Sequence, residues 1–307
     1  MCGIVGLYFK NAALEPQLGA LFTPMLMAMT DRGPDSAGFA LYGDEYHDGI
    51  KLTLRSDQES YNWPALAERF GVAFGRVDEW FPLADATVFK LPTTEALALE
   101  WLASEAPEVD VLSAGHSIEI LKGVGLPGEV AAHFGLEKMA GSHAIGHTRM
   151  ATESAVTLQG SHPFSTGMDL CLVHNGSLSN HNRLREKLKR AGISFKTDND
   201  SEVAAGYLAW RMRQGDNLTT ALQNALKDLD GFFTFTIGTH DGFAVVRDPI
   251  SCKPAVIAET DDYVAMASEY RALAHLPGIN DARVWEPEPA KIYVWERLNQ
   301  AATGSQR

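Results

Sequence analysis

Cysteine stands second in this chain, in "MCGIVG". Removal of Met1 would leave its thiol and a free α-amino group on one carbon. An ordinary thiol, with a pKa of about 8.5, is mostly protonated at neutral pH. An α-amino group titrates near ~7.7–8.0 and can accept that proton. A side-chain nucleophile served by an N-terminal amine is an established arrangement for covalent catalysis. Position 2 alone favours a plainer reading, a small buried hydrophobe. A second candidate pair is His143 and His147 in "HAIGH". On a helix, that i, i+4 spacing grips a metal. The residues around them read as a strand, where four residues span about 13 Å at ~3.3 Å each. That separation is too large for a shared ion, so no metal site is expected.

Composition narrows the classes. The chain has 307 residues, enough for one large domain or two small ones, and 45% of them are apolar. Its formal charge of -13 argues against a surface built for nucleic acid or an acidic membrane. The three cysteines, Cys2, Cys171 and Cys252, are too few and too scattered for a disulfide framework, an iron–sulfur cluster or a zinc knuckle. A reducing cytosol is the expected compartment. No run approaches the ~18 apolar residues of a membrane span. The N-terminus lacks the basic start of a signal peptide, and Lys10 and Glu15 interrupt its apolar stretch. Cys2 is therefore expected to become the mature N-terminus, with no propeptide to remove.

The elements that must position Cys2 begin with "GIVGLY", a short buried strand. A helix is expected around 17–30, where Leu18, Leu21, Phe22, Met25, Leu26 and Met29 recur near a 3.6 period. Pro24 is expected to kink this helix or mark its start. "DRGPDSAG" reads as a turn and "FALYG" as the next strand. Residues from about 50 to 115 have a different character. "YNWPALAERFG" and "TTEALALEWLASEAP" suggest helices, and "ATVFK" and "VDVLSA" suggest strands. No cluster there suggests chemistry, so the segment reads as an inserted subdomain or extended lobe with a packing role.

From residue 143 the pattern tightens. "HAIGHTRMA" reads as a strand entering a loop, and "MDLCLVHNG" as an apolar strand ending in a turn. "NHNRLREKLKRAG" is an amphipathic helix closed by Gly192. "DSEVAAGYLAWRMRQG" and "LTTALQNALKDLDG" are two more helices. Strands follow in "FFTFTIG", "FAVVRD", "AVIAE" and "YVAMA", the first two joined by an Asp-Gly turn at 241–242. The acidic "EPEPAK" near 286–291 reads as a solvated loop. This order suggests layered sheets with helices outside.

Six motifs occur in sequence order: "MCGIVG" at the start, "DRGPDSAG" at 31–38, "GHTRMAT" at 146–152, "GSHPF" at 160–164, "VHNGSLSNHNRLREKL" at 173–188 and "TDNDSEVAA" at 197–205. Together they resemble the class II glutamine amidotransferase domain, an N-terminal-nucleophile hydrolase. "RDPISCKP" at 247–254 and "ASEYRAL" at 267–273 are similar to the end of that domain. The resemblance covers nearly the whole chain except the stretch near 50–115. It implies an α+β fold, a four-layer αββα sandwich, and hydrolysis of the glutamine side-chain amide.

The resemblance also assigns roles. Cys2 would attack the amide carbonyl and form a glutamyl thioester, with its own amine shuttling the proton. Asn175, through its side-chain NH₂, and Gly176, through its backbone N–H, would stabilise the developing oxyanion. Alone, this Asn-Gly pair reads as a plain hairpin turn. Arg149 would pair with the substrate α-carboxylate and Asp200 with its α-ammonium. Asp200 also stands where a helix N-cap would stand. Thr152 would line the same pocket and His162 would organise it from behind. Arg32 would either lower the thiol pKa or hold its turn. Ser251 departs from the resemblance, since glycine is common there.

In most such enzymes the domain is fused to a synthase domain that consumes the ammonia, whereas this chain ends soon after "AKIYVWERL". The expectation is a glutaminase subunit that passes ammonia to a separate synthase subunit, glutamate synthase-like or N-methylglutamate synthase-like. No cofactor is expected in this chain; FMN would sit on the partner. One alternative is a free-standing amidase acting on another amide. Another is a non-enzymatic regulatory subunit, which loss of Cys2, Asn175 or Asp200 would have favoured.

Overall fold

A computed structural model describes residues 2–58, 60–151 and 156–297. Its first sheet has seven antiparallel strands. Their order is β15 (Arg283–Trp285), β13 (Val256–Glu259), β14 (Tyr263–Ala267), β1 (Gly3–Phe9), β8 (His143–Arg149), β2 (Ser36–Tyr42) and β7 (Ile118–Val124). The strand next to Cys2 thus lies in the middle of the sheet, paired on both sides. Gly3 faces Thr148 of β8, and Val5 faces Ala267 of β14. The second sheet has five strands, in the order β16 (Ile292–Glu296), β12 (Gly242–Arg247), β11 (Gly231–Thr239), β10 (Leu170–Leu178) and β9 (Phe164–Gly167).

Alternation along the strands divides the side chains between two faces. Ile4, Tyr8 and Ile145 of the first sheet meet Cys171, Val173 and Phe243 of the second in a core between the sheets. On the outer face of the first sheet, Val5, Leu7 and Phe9 pack on α1 (Leu18–Met27) and α4 (Pro127–Phe134) through Phe22, Leu26 and Phe134. Leu172, Phe233 and Phe235 of the second sheet pack on α5 (His181–Arg190), α6 (Asp200–Arg213) and α7 (Leu218–Asp228). The layers run helix, sheet, sheet, helix, as the αββα expectation required. No described helix is long and apolar enough to cross a membrane.

Residues 50–115 build a third sheet, in the order β4 (Glu79–Leu83), β5 (Ala86–Leu91), β3 (Ile50–Ser56) and β6 (Val109–Gly115). With α2 (Trp63–Phe74) and α3 (Glu95–Glu105) it encloses a core of its own around Leu52, Phe70, Phe89 and Leu102. Asn62 and Thr94 cap these helices, accepting from the backbone N–H of Ala65 and Leu97. One buried carboxylate ties the lobe to the second sheet. Asp169, in the β9–β10 turn, accepts from the backbone N–H of His116 at 2.7 Å, Ser117 at 2.9 Å and Ile118 at 3.0 Å. His116 and Ser117 form the turn between β6 and β7, and Ile118 begins β7. A side chain at Gly115 would collide with this carboxylate, its Cβ falling 2.2 Å from Oδ1.

Two local expectations are corrected. Pro24 does not begin α1, which starts at Leu18 and carries Pro24 well inside it. Proline removes only one donor from the ladder, and the buried face of Leu18, Phe22, Met25 and Leu26 holds the helix. The Asn175-Gly176 pair is not a turn; β10 runs straight through it to Leu178.

Candidate active site

Cys2 is half-buried at the entrance to β1. The strand is pinned there by Ser268, whose Oγ accepts from Ile4 N at 3.0 Å and whose N–H donates to Ile4 O at 2.9 Å. The carbonyl oxygen of Cys2 accepts twice more, from Arg32 Nε at 3.0 Å and from Asn175 Nδ2 at 3.2 Å. Arg32 is buried and also donates to Glu269 Oε1 at 2.8 Å. That guanidinium holds the Glu269 carboxyl below the ordinary carboxylate range. Arg32 thus grips the backbone of Cys2 with its charge matched by Glu269.

Asn175 is buried on β10, opposite Thr234 of β11, and Gly176 is opposite Phe233. The ladder explains why the pair is not a hairpin: its neighbours are already paired on an extended strand. It also explains the glycine. A Cβ on Gly176 would lie 2.0 Å from Phe232 O.

Asp200 is the first residue of α6 and not its cap. Asn199 caps the helix, its side chain accepting from Ser201 N at 2.9 Å. Asn199 is one residue earlier, where the backbone is still extended, and so it supplies the capping oxygen. The Asp200 carboxylate turns to β10 and accepts from Leu178 N at 2.9 Å and from Ser201 Oγ at 3.2 Å. His174 bridges the same two elements, with Nδ1 2.8 Å from Ser201 Oγ and 3.8 Å from Asp200 Oδ1.

Arg149 closes β8 and is buried, opposite Ser36 of β2. A Cβ built on Gly160 would lie 3.3 Å from its Nη1, so its head reaches the turn before "SHPF". Thr152 lies outside the described residues. His162 is buried, and its ring stacks on His147 at 3.9 Å between centroids. Its nitrogens have no hydrogen-bond partner among the described residues. Burial pushes the His147 pKa down to about 3 and that of His162 well below its ordinary value, so both rings are neutral at pH 7. Neutral His147 donates from Nε2 to His174 O at 3.1 Å. His162 therefore connects to β10 through the ring of His147.

The described site brings Cys2, Arg32 and Asn175 into direct contact and ties Asp200 to the same strand as Asn175. Sequence reasoning passed over Glu269, His174 and Ser201, and weighed His147 only as a metal ligand. Each lies inside a quoted motif, and His174 and Ser201 directly adjoin Asn175 and Asp200. Ser251 adopts a positive φ of 54°, the region glycine favours, and Asp248 holds the turn by accepting from Ser251 N at 3.1 Å.

A family profile described as "Glutamine amidotransferase domain" matches residues 147–275. The "Glutamine amidotransferase-like protein GlxB" of Rhizobium meliloti is 55% identical over 305 residues, which cover 98% of this chain and 100% of that protein. The chain belongs to the class II glutamine amidotransferase family. It is similar to the amidophosphoribosyltransferase of Archaeoglobus fulgidus at 32% identity, over 55% of this chain and 37% of that one. The structure of the Bacillus subtilis glutamine phosphoribosylpyrophosphate amidotransferase, complexed with ADP and GMP, shares the fold with a TM-score of 0.62 at 22% identity. That likeness covers 96% of this chain and 47% of the other. In this glutamine amidotransferase the profile spans Arg149, His162, Asn175, Gly176 and Asp200. Cys2 and Arg32 precede it.

Proposed function

We propose that this chain is a glutaminase that releases ammonia from L-glutamine through Cys2. The observation that carries the reading is the convergence of Arg32 and Asn175 on the Cys2 carbonyl, which fixes the nucleophile beside an amide donor. After removal of Met1, the Cys2 amine takes the thiol proton and the sulfur attacks the side-chain amide carbon. The second N–H of the Asn175 amide and the Gly176 N–H face the oxyanion. Collapse of the tetrahedral species breaks the C–N bond, and the proton leaves on ammonia. Water then attacks the glutamyl thioester, releases glutamate and restores the thiol. Arg149 holds the substrate carboxylate and Asp200 holds its ammonium.

The ammonia acceptor is proposed to be a separate synthase subunit, glutamate synthase-like or N-methylglutamate synthase-like, with any FMN on that subunit. The test is ammonia release from L-glutamine by protein with Cys2 as its verified first residue. Cys2→Ala is expected to abolish release, as is a retained N-terminal extension. Undiminished release by either protein refutes the mechanism. Purification of the native complex tests the partner, and recovery of the chain without a synthase subunit refutes that part.

A further inference from the structure

A cavity of about 600 Å³ in the described structure is lined by none of Cys2, Asn175, Arg149 and Asp200. It lies at the seam between the lobe and the amidotransferase body. Leu99, Leu102 and Val109 line it from the lobe, and Phe164 and Ile193 from the body. Its volume is within the range of about 300–1,000 Å³ typical of small-molecule sites, and an apolar wall with a few polar groups is their usual lining.

Lys122 of β7 lines this cavity and is 93% buried, its exposure being 7%. Its ammonium donates to Ser161 O at 2.8 Å and stands 5.2 Å over the ring of Phe164. Three donors thus have one hydrogen-bond acceptor, and no carboxylate lies within ion-pair distance among the described residues. Three acids line the cavity, Glu95, Asp110 and Glu202, and the last two are committed elsewhere. Glu202 accepts from the backbone of Lys196 and Thr197, and Asp110 pairs with Lys196 at 3.4 Å.

Lys51 shows how the same fold handles a buried ammonium that is complete. It is fully buried, bonds three carbonyl oxygens, and pairs with Glu119 at 2.5 Å. A buried cation without its counter-charge is costly. Burial drives the Lys122 pKa down to about 8, so the ammonium still predominates at pH 7.

We propose that this cavity binds a small organic carboxylate with an apolar tail, its carboxylate pairing with Lys122. The tail lies against Leu99, Leu102 and Ile193. Ser161 directly precedes His162, so the occupant rests against the loop that packs behind the amidotransferase site.

Isothermal titration of the full chain with octanoate, 1-octanol and octylamine tests this. Octanoate is expected to bind one per chain, with the alcohol and amine weaker by about tenfold or more. Lys122→Met is expected to cost octanoate about tenfold or more and to leave 1-octanol unchanged. Leu102→Trp, which fills the space from α3 without touching Lys122, is expected to abolish binding of both. Absence of octanoate binding overturns the proposal. So does equal binding of the alcohol or amine, or full octanoate affinity in a folded Leu102→Trp protein.

Discussion

Arg32 and Asn175 meet at one atom, the carbonyl oxygen of Cys2, at 3.0 and 3.2 Å. One comes from a turn 30 residues along the chain and the other from a strand 173 residues along. The first residue before β1 is thereby held from two sides, although chain termini generally fray. The amide of Asn175 has two N–H donors, and this bond uses one of them.

That division predicts the behaviour of Asn175→Ala. Loss of a preorganised oxyanion donor costs about 10²–10³ in kcat, with a much smaller change in KM. Steady-state ammonia release from glutamine measures it. A variant with normal kcat would leave Asn175 as an anchor for the terminus alone.

Arg149→Lys and Asp200→Asn are expected to raise the KM for glutamine by about tenfold or more, since each removes a charge-matched partner or its geometry. Asp200→Asn also weakens the bond to Leu178 N, so its unfolding free energy is expected to fall by about 1 kcal/mol. A normal KM in either variant removes that residue from substrate binding.

Gly176→Ala places a methyl 2.0 Å from Phe232 O and 2.6 Å from His174 Nε2. Neither a backbone oxygen in a paired strand nor a buried ring can move cheaply. Urea unfolding is expected to show a loss of about 1–3 kcal/mol or more with an unchanged slope. Stability equal to the parent would show that β10 and β11 shift freely.

Acid should weaken the fold through its buried histidines. Burial holds His143 and His147 near pKa 3, and His162 well below its ordinary value. Their pKa values are about 6.5 when unfolded. Below that pH the unfolded chain takes up protons that the folded chain refuses. Each ring then removes up to about 1.4 kcal/mol per pH unit, from pH 6.5 down towards its folded pKa. Urea unfolding at pH 7, 6 and 5 should show this decline. His162→Phe, which keeps a ring against His147, should make it shallower. An identical pH slope in the variant excludes His162 from the effect.

What was legible in the sequence was local. Cys2, Asn175, Arg149 and Asp200 stood in contiguous motifs; the strand and helix patterns suggested layered sheets with helices outside, and the αββα order came from the family resemblance that those motifs carry. Misreadings arose where a local signal met a distant constraint. Asn175-Gly176 has hairpin composition, but pairing with β11 keeps it extended. Asp200 has the composition of a cap but is already inside the helix, and Asn199 is the residue with an extended backbone and a capping oxygen. Glu269 could not be chosen as the partner of Arg32, because 237 residues separate them and only the sheet order brings them together.

The Asp169 carboxylate has a mechanical consequence. It clasps the turn that leads out of the lobe, and Asp169 itself directly precedes β10. Asn175 lies further along that strand. The lobe and the donor strand are therefore geared through one joint, with three backbone N–H groups as its teeth. A body that seats on the lobe has a lever on the Asn175 end of the site without ever touching Cys2. Asp169→Ala would disengage that gear and leave both sheets in place.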